Sequence, residues 1–275
     1  MRPRIFVLMI LCGILFGTAG CNSYDRLLKS NDIVLKLEKA KEFYNKKNYD
    51  KALPLFEELV SYYKGTKTEE DIYYFYAYCY YGQGEFLMAQ YHFKNFWRQF
   101  PDNPRAEESL FMAAQCYLGM SPTYKLDQDY TSTAVDQLQL FINSYPTSAR
   151  VDSANHEIDN LRNKLAEKDF QNALLYYHTE NYKAASLSFK NFTLEFPDAS
   201  KVEEADFLSF KASYLYAMKS IDTKKPERLE DALKIYQNFS LRYAESEFKK
   251  EADKLSASAQ NELLKLKTIN THVEN

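Results

Sequence analysis

The hydrophobic positions of this chain repeat as a set of anchors spaced for paired helices. A bulky residue stands three before an alanine, and another bulky apolar residue follows that alanine by four. Tyr49-Ala52-Phe56, Phe86-Ala89-Phe93, Tyr182-Ala185-Phe189 and Leu229-Ala232-Tyr236 fit the pattern, and Thr131-Ala134-Leu138 fits it with Thr131 in the first slot. An aromatic-proline pair follows at Phe100-Pro101, Tyr145-Pro146 and Phe196-Pro197, with the proline always twelve after the alanine. Tyr63-Lys64 and Tyr243-Ala244 fill that slot in the first and last units. A second small residue lies twelve before the anchor alanine at Ala40, Ala77 and Ala173, with Phe43, Tyr80 and Tyr176 three later. In the third and fifth units that mark moves eight residues upstream, to Ala114 and Ala212, so insertions are expected between their helices. Each anchor has a physical use. Alanine lets two helices approach, the bulky residue one turn on fills the space between them, and proline ends the second helix because it cannot continue the hydrogen-bond ladder.

The pattern resembles tetratricopeptide (TPR) repeats. The fold class expected is all-α: five TPR-like helix-turn-helix repeats forming a superhelical array, closed by a C-terminal capping helix. Residues 33–148 would hold repeats one to three. Residues 149–244 would hold a long linking helix, predicted from Arg150 to Tyr177 as one helix or two with a slight break, and repeats four and five. Residues 245–275 would be the capping helix, with apolar positions at Phe248, Leu255, Ala259, Leu263 and Leu266, and a tail frayed from Thr268. Residues 21–32 read as a polar tether, with Asn31 or Asp32 placed to cap the first helix. Seven Gly and eight Pro in 275 residues are too few for a sandwich or barrel of many tight turns.

The first twenty residues read as an export signal. Arg2 and Arg4 precede an apolar run from Ile5 to Phe16, too short to span a bilayer. Gly17-Thr18-Ala19-Gly20 then leads to Cys21, which resembles the lipobox of bacterial lipoproteins, where cleavage falls before a cysteine that carries lipid. Thr18 stands where leucine is commonest. An ordinary signal cut near Gly20 is the other reading. Asn22 and Ser23 lack the aspartate that retains lipoproteins at the inner membrane, so an outer-membrane address facing the periplasm is expected. Loss of Arg2 and Arg4 takes the net charge from −3 to −5, which leaves no electrostatic footprint for nucleic acid. Cys79 and Cys116 occupy equivalent positions in successive repeats. They read as two small buried thiols, with pairing in an oxidising compartment as the alternative.

No catalytic constellation, metal-ligand spacing or cofactor cradle emerges. The histidines left after cleavage, His92, His156, His178 and His272, are scattered, and His92 and His178 are expected on polar faces or near helix ends. Gly82-Gln83-Gly84 reads as an interhelix turn and not a phosphate loop. The informative stretch is Ile72-Tyr73-Tyr74-Phe75-Tyr76-Ala77-Tyr78-Cys79-Tyr80-Tyr81. Tyr73, Tyr76, Ala77 and Tyr80 share the packing stripe. Tyr74, Tyr78 and Tyr81 share another face, matched by Leu37, Lys41 and Tyr44 in the first unit and Phe111, Gln115 and Leu118 in the third. Such a face offers rings with hydroxyl handles to an extended peptide, unless neighbouring segments cover it.

On these grounds the chain resembles the BamD family of lipoproteins, which serve the outer-membrane β-barrel assembly complex. The resemblance spans nearly the whole processed chain. Its most specific piece is the insertion Ser121-Pro122-Thr123-Tyr124-Lys125-Leu126-Asp127-Gln128, similar to a Ser-Pro…Asp-Gln loop in that family, with Leu126 where arginine is frequent. The resemblance implies a non-enzymatic scaffold. Its N-terminal repeats would receive the C-terminal targeting segments of unfolded outer-membrane proteins, through Tyr44, Tyr74, Tyr78, Tyr81 and Phe111. Its C-terminal repeats would dock a POTRA domain of a BamA-like barrel protein, accessory lipoproteins could join, and Cys21 would carry the lipid. Two rivals share parts of the pattern: a periplasmic TPR lipoprotein that regulates cell-wall enzymes, and a short SusD-like glycan-binding lipoprotein.

Overall fold

The computed structural model describes residues 23–273, with side chains described to residue 268, and every regular element among them is helical. The signal region and Cys21 lie outside the described residues. The helices are α1 (Ile33–Asn45), α2 (Tyr49–Tyr62), α3 (Lys67–Gly82), α4 (Phe86–Gln99), α5 (Ala106–Met120), α6 (Asp129–Ser144), α7 (Val151–His178), α8 (Tyr182–Glu195), α9 (Val202–Met218), α10 (Lys225–Arg242) and α11 (Lys249–Val273). They make five pairs and a terminal helix, as the anchors predict. The stretch after Arg150 forms one helix without a break. The final helix runs five residues beyond Thr268, where fraying was expected.

The anchors explain the pairing. Ala52, Ala89, Ala134, Ala185 and Ala232 at the head of each second helix are fully buried, as are Ala40, Ala77, Ala114, Ala173 and Ala212 in each first helix. A methyl group on both partners lets the backbones close up, and Phe56, Phe93, Leu138 and Phe189 fill the space one turn along with no exposure. The turns repeat too. Three-residue turns join α1–α2, α3–α4 and α7–α8, each with its middle residue in the left-handed region: Lys47 (φ 56°), Gly84 (φ 79°) and Glu180 (φ 59°). In each the last turn residue donates back five positions, Asn48 N to Phe43 O, Glu85 N to Tyr80 O and Asn181 N to Tyr176 O, at 2.9–3.0 Å. Gly82 serves a different need. A Cβ there would lie 2.2 Å from the Tyr49 ring, so the first ring of α2 seats on the end of α3.

The chain divides into two compact units. One holds the residues up to Ser121 together with Asp129–Asn155, and the other holds Pro122–Gln128 with His156 onward. In the first, Ala40, Leu55, Phe56, Leu59, Ile72, Tyr76 and Cys79 form one core cluster, and Ala77, Ala89, Phe93, Ala113 and Cys116 form a second. In the second unit, Phe170, Phe189 and Phe192 centre one cluster, and Phe207, Phe210, Leu229 and Phe239 centre another that α11 covers through Ala252 and Ala259. Cys79 and Cys116 are free and buried, and burial pushes both thiols up to about 12.

The expected tether is described from its third residue. Residues 23–28 are helical, and Tyr24, Leu27 and Leu28 pack against the first core cluster. Asp32 caps α1, accepting from Leu35 N at 2.9 Å. Lys36 clips the segment in place. Its side chain is 2% exposed, and its ammonium donates to Leu28 O at 2.9 Å and to Glu58 Oε2 at 2.6 Å. Removing the carboxylate strands that ammonium, whereas removing the lysine strands only a half-exposed glutamate and one carbonyl. Glu58→Gln should therefore lower stability by about 1–2 kcal/mol and Lys36→Met by less. Urea unfolding of both variants checks the order, and a larger loss for Lys36→Met would refute it.

Candidate functional site

The five aromatic residues singled out above all belong to the first unit and are all partly exposed. Tyr44 leaves α1 and meets the Phe75 ring at 4.8 Å and the Tyr49 ring at 5.9 Å. Tyr74 and Tyr78 lie one turn apart on α3 with ring centroids 4.8 Å apart. Beneath them, Phe96 stands 5.8 Å from Tyr74 and Phe93 stands 4.8 Å from Tyr78, so α4 supports both rings from the core side. Tyr81 turns toward the end of the pair, 5.5 Å from Phe86. Phe111 on α5 stands apart from the tyrosines, 5.2 Å from Phe141. Tyr44, Tyr74 and Tyr78 thus form a strip across α1 and α3, Tyr81 extends it, and Phe111 is a separate aromatic position on α5.

Two charged residues of α5 and its approach complete the strip. The Tyr78 hydroxyl donates to Glu108 Oε1 at 2.6 Å. The Arg105 guanidinium lies 4.6 Å from the Tyr74 ring centroid and pairs with Asp71 at 2.6 Å. Burial raises the phenols of Tyr44, Tyr74 and Tyr78, and for Tyr78 the bond to Glu108 adds to it. These three phenols are therefore neutral at physiological pH. The surface offers apolar ring faces beside a guanidinium and a carboxylate.

Arg105 and Glu108 escaped the sequence reading, yet Arg105 has a signal. It stands four residues after Pro101. Arg150 stands four after Pro146, and Lys201 four after Pro197. Each occupies the N-cap or adjoining position of the next first helix and sits over an aromatic of the preceding one. Arg150 is 5.7 Å from the Phe111 ring and 3.4 Å from Glu107, and Lys201 is 4.6 Å from Phe170 and 2.7 Å from Glu167. The aromatic, the cation and its carboxylate recur as a unit.

The histidine at position 92 departs from expectation. It is 8% exposed, not on a polar face. Tyr73 Oη is 3.1 Å from its Nδ1, the Tyr80 ring stacks on it at 5.1 Å, and Tyr76 closes it edge-on at 4.7 Å. Three tyrosines of α3 wrap this imidazole, so the 72–81 stretch spends one face on His92 and the other on the strip. Among the described residues no group of three or more His, Cys, Asp or Glu side chains could hold a metal ion. No described helix is long and apolar enough to cross a membrane.

Comparison with known proteins gives a family. The family model described as YfiO, outer membrane lipoprotein, matches residues 36–214. The outer membrane protein assembly factor BamD of Buchnera aphidicola subsp. Acyrthosiphon pisum (strain APS) is 26% identical over 238 residues, covering 80% of this chain and 92% of that protein. Among solved structures, the TPR2AB-domain–pHSP90 complex of yeast Sti1 aligns over 83% of this chain and 98% of its own at 13% identity, with a TM-score of 0.37.

Proposed function

Since the chain belongs to the YfiO family of outer membrane lipoproteins, we propose that it assists the assembly of outer-membrane proteins by holding their unfolded C-terminal segments on the Tyr44–Tyr74–Tyr78 strip. The work is scaffolding. Binding energy keeps an extended, aromatic-ending peptide close to the insertion machinery, and no bond is made or broken. Cys21 carries the lipid that anchors the chain to the outer membrane, and the protein faces the periplasm. Residues 33–148 receive substrate, and residues 149–244 dock the POTRA region of a BamA-like partner.

The observation that carries this reading is the strip itself. Its rings are held from below by Phe93 and Phe96 and partly exposed above, with Arg105 and Glu108 fixed beside them. A pre-organised aromatic surface loses little side-chain entropy when a ligand arrives, which favours extended peptides that present rings of their own. Arg105 can meet a terminal carboxylate, and Glu108 can accept from backbone N–H groups.

Tyr74→Ala removes one ring and the seat of Arg105. It should weaken binding of a peptide from the C-terminus of a barrel protein by about tenfold, since one aromatic contact is worth about 0.5–1.5 kcal/mol and 1.4 kcal/mol is tenfold. Fluorescence anisotropy with that peptide measures the change. In cells, a photo-crosslinking residue at position 74 should capture nascent barrel proteins. Recovery of cell-wall hydrolases and no barrel protein would replace this reading with that of a cell-wall regulator.

A further inference from the structure

A second recess lies in the first unit, away from the aromatic strip. Residues 23–28 fold back on α1 and α2 and leave a cleft of about 520 Å³, lined by Tyr24, Leu27, Leu35, Phe43 and the basic side chains of Arg26, Lys39 and Lys51. Its floor is apolar and its rim is cationic. The Lys51 ammonium stands 5.5 Å from the Tyr24 ring and 5.7 Å from the Phe43 ring. Tyr24 Oη donates to the Lys51 carbonyl at 2.9 Å, which fixes the Tyr24 ring against α2. Among the described residues neither Arg26 nor Lys51 pairs with a carboxylate, and the acidic residue on the rim, Glu42, is taken by Lys39 and Lys46 at 2.7 Å each. Val34, at the start of α1 and next to Leu35, is 73% exposed.

We propose that this cleft binds the phosphate headgroup of an anionic phospholipid in the leaflet that holds the anchor, with Arg26 and Lys51 meeting the phosphate and Leu27, Leu35 and Phe43 meeting the glycerol and upper acyl carbons. The inference rests on the reading that Cys21 is lipidated. Ser23, at the cleft edge, is two residues from Cys21. Two residues reach about 7 Å at full extension, so an acylated Cys21 brings the cleft to the headgroup layer. A net-acidic chain gains at that place from a cationic recess facing anionic lipid, and an apolar floor suits the boundary between headgroup and acyl chains. The clip of Lys36 on Leu28 and Glu58 holds the segment that forms one wall.

Amine labelling of the full lipidated protein in vesicles tests this, read lysine by lysine by mass spectrometry. On vesicles of phosphatidylcholine with one-third phosphatidylglycerol, Lys39 and Lys51 should label at least about fivefold more slowly than on phosphatidylcholine alone. Lys183 and Lys190 of α8 should be unchanged. Arg26→Gln should restore at least half of the Lys51 rate, which a general surface-charge effect on amines would not do. Equal rates for Lys39 and Lys51 on the two vesicle types overturn the proposal. So does protection on phosphatidylcholine by millimolar inorganic phosphate, which would make the cleft a free-anion site. The mass of the N-terminal peptide reports acylation separately. An unacylated Cys21 sinks the anchor and this inference together, whereas an acylated protein without protection sinks the inference alone.

Discussion

Replacing Phe93 with alanine should cost the first unit about 3–5 kcal/mol and abolish peptide binding at the strip. Phe93 is fully buried in the cluster of Ala77, Ala89, Ala113 and Cys116, whose short side chains cannot reach into the space its ring would leave. Four of its neighbours are alanine or cysteine because the helices approach closely there, and that closeness resists collapse. The ring is also the support of Tyr78 at 4.8 Å and lies 6.4 Å from Tyr81. Tyr78 without that support loses the orientation that delivers its hydroxyl to Glu108. Urea unfolding gives the stability, and hydrogen exchange locates the loss, which should fall on α3–α5 and spare α8–α10. A change below about 1 kcal/mol would mean that the helices do relax into the space, and would contradict the close packing argued from the alanine anchors. Tyr74→Ala offers the contrast: a partly exposed ring whose removal should weaken binding far more than it weakens the fold.

The protein should lose stability on acidification from pH 6.5 to pH 4 through His92, by about 2 kcal/mol. Burial lowers the imidazole from its ordinary 6.5 to about 4. The direction of the effect follows from proton counting. Between those two values the unfolded histidine binds a proton and the folded one does not, so stability is complete above 6.5, falls as the pH drops, and levels off below 4. Tyr73, Tyr76 and Tyr80 surround the ring from α3 and Tyr91 flanks it on α4, and none of these can balance an imidazolium charge. Its Nε2 has no hydrogen-bond partner among the described residues, so the charged form would hold its Nε2 N–H unpaired. Urea midpoints at pH 7.5 and pH 4.5, for the native protein and for His92→Gln, separate this effect from that of the carboxylates. The native protein should lose about 2 kcal/mol more than the variant over the interval. Identical losses would show that His92 is protonated without penalty.

The sequence by itself determined the helix pairs, because the information needed is local. An alanine three after one bulky residue and four before another defines a helix face, and proline or a tight turn ends the run. All ten paired alanines are fully buried for that reason. The same periodicity separated Tyr73 and Tyr76, which are buried, from Tyr74 and Tyr78, which are not. What only the tertiary structure decided is how each face is covered, since that depends on residues of other helices and segments brought against it by packing. Lys36 reads as a solvated lysine until Glu58 and the 23–28 segment enclose it. His92 reads as a polar surface residue until three rings of another helix close around it. Arg105 reads as one charge in a loop until the stacking of successive pairs lays it over Tyr74. Helical periodicity tells a side chain which way to point, and packing alone tells it what it meets there.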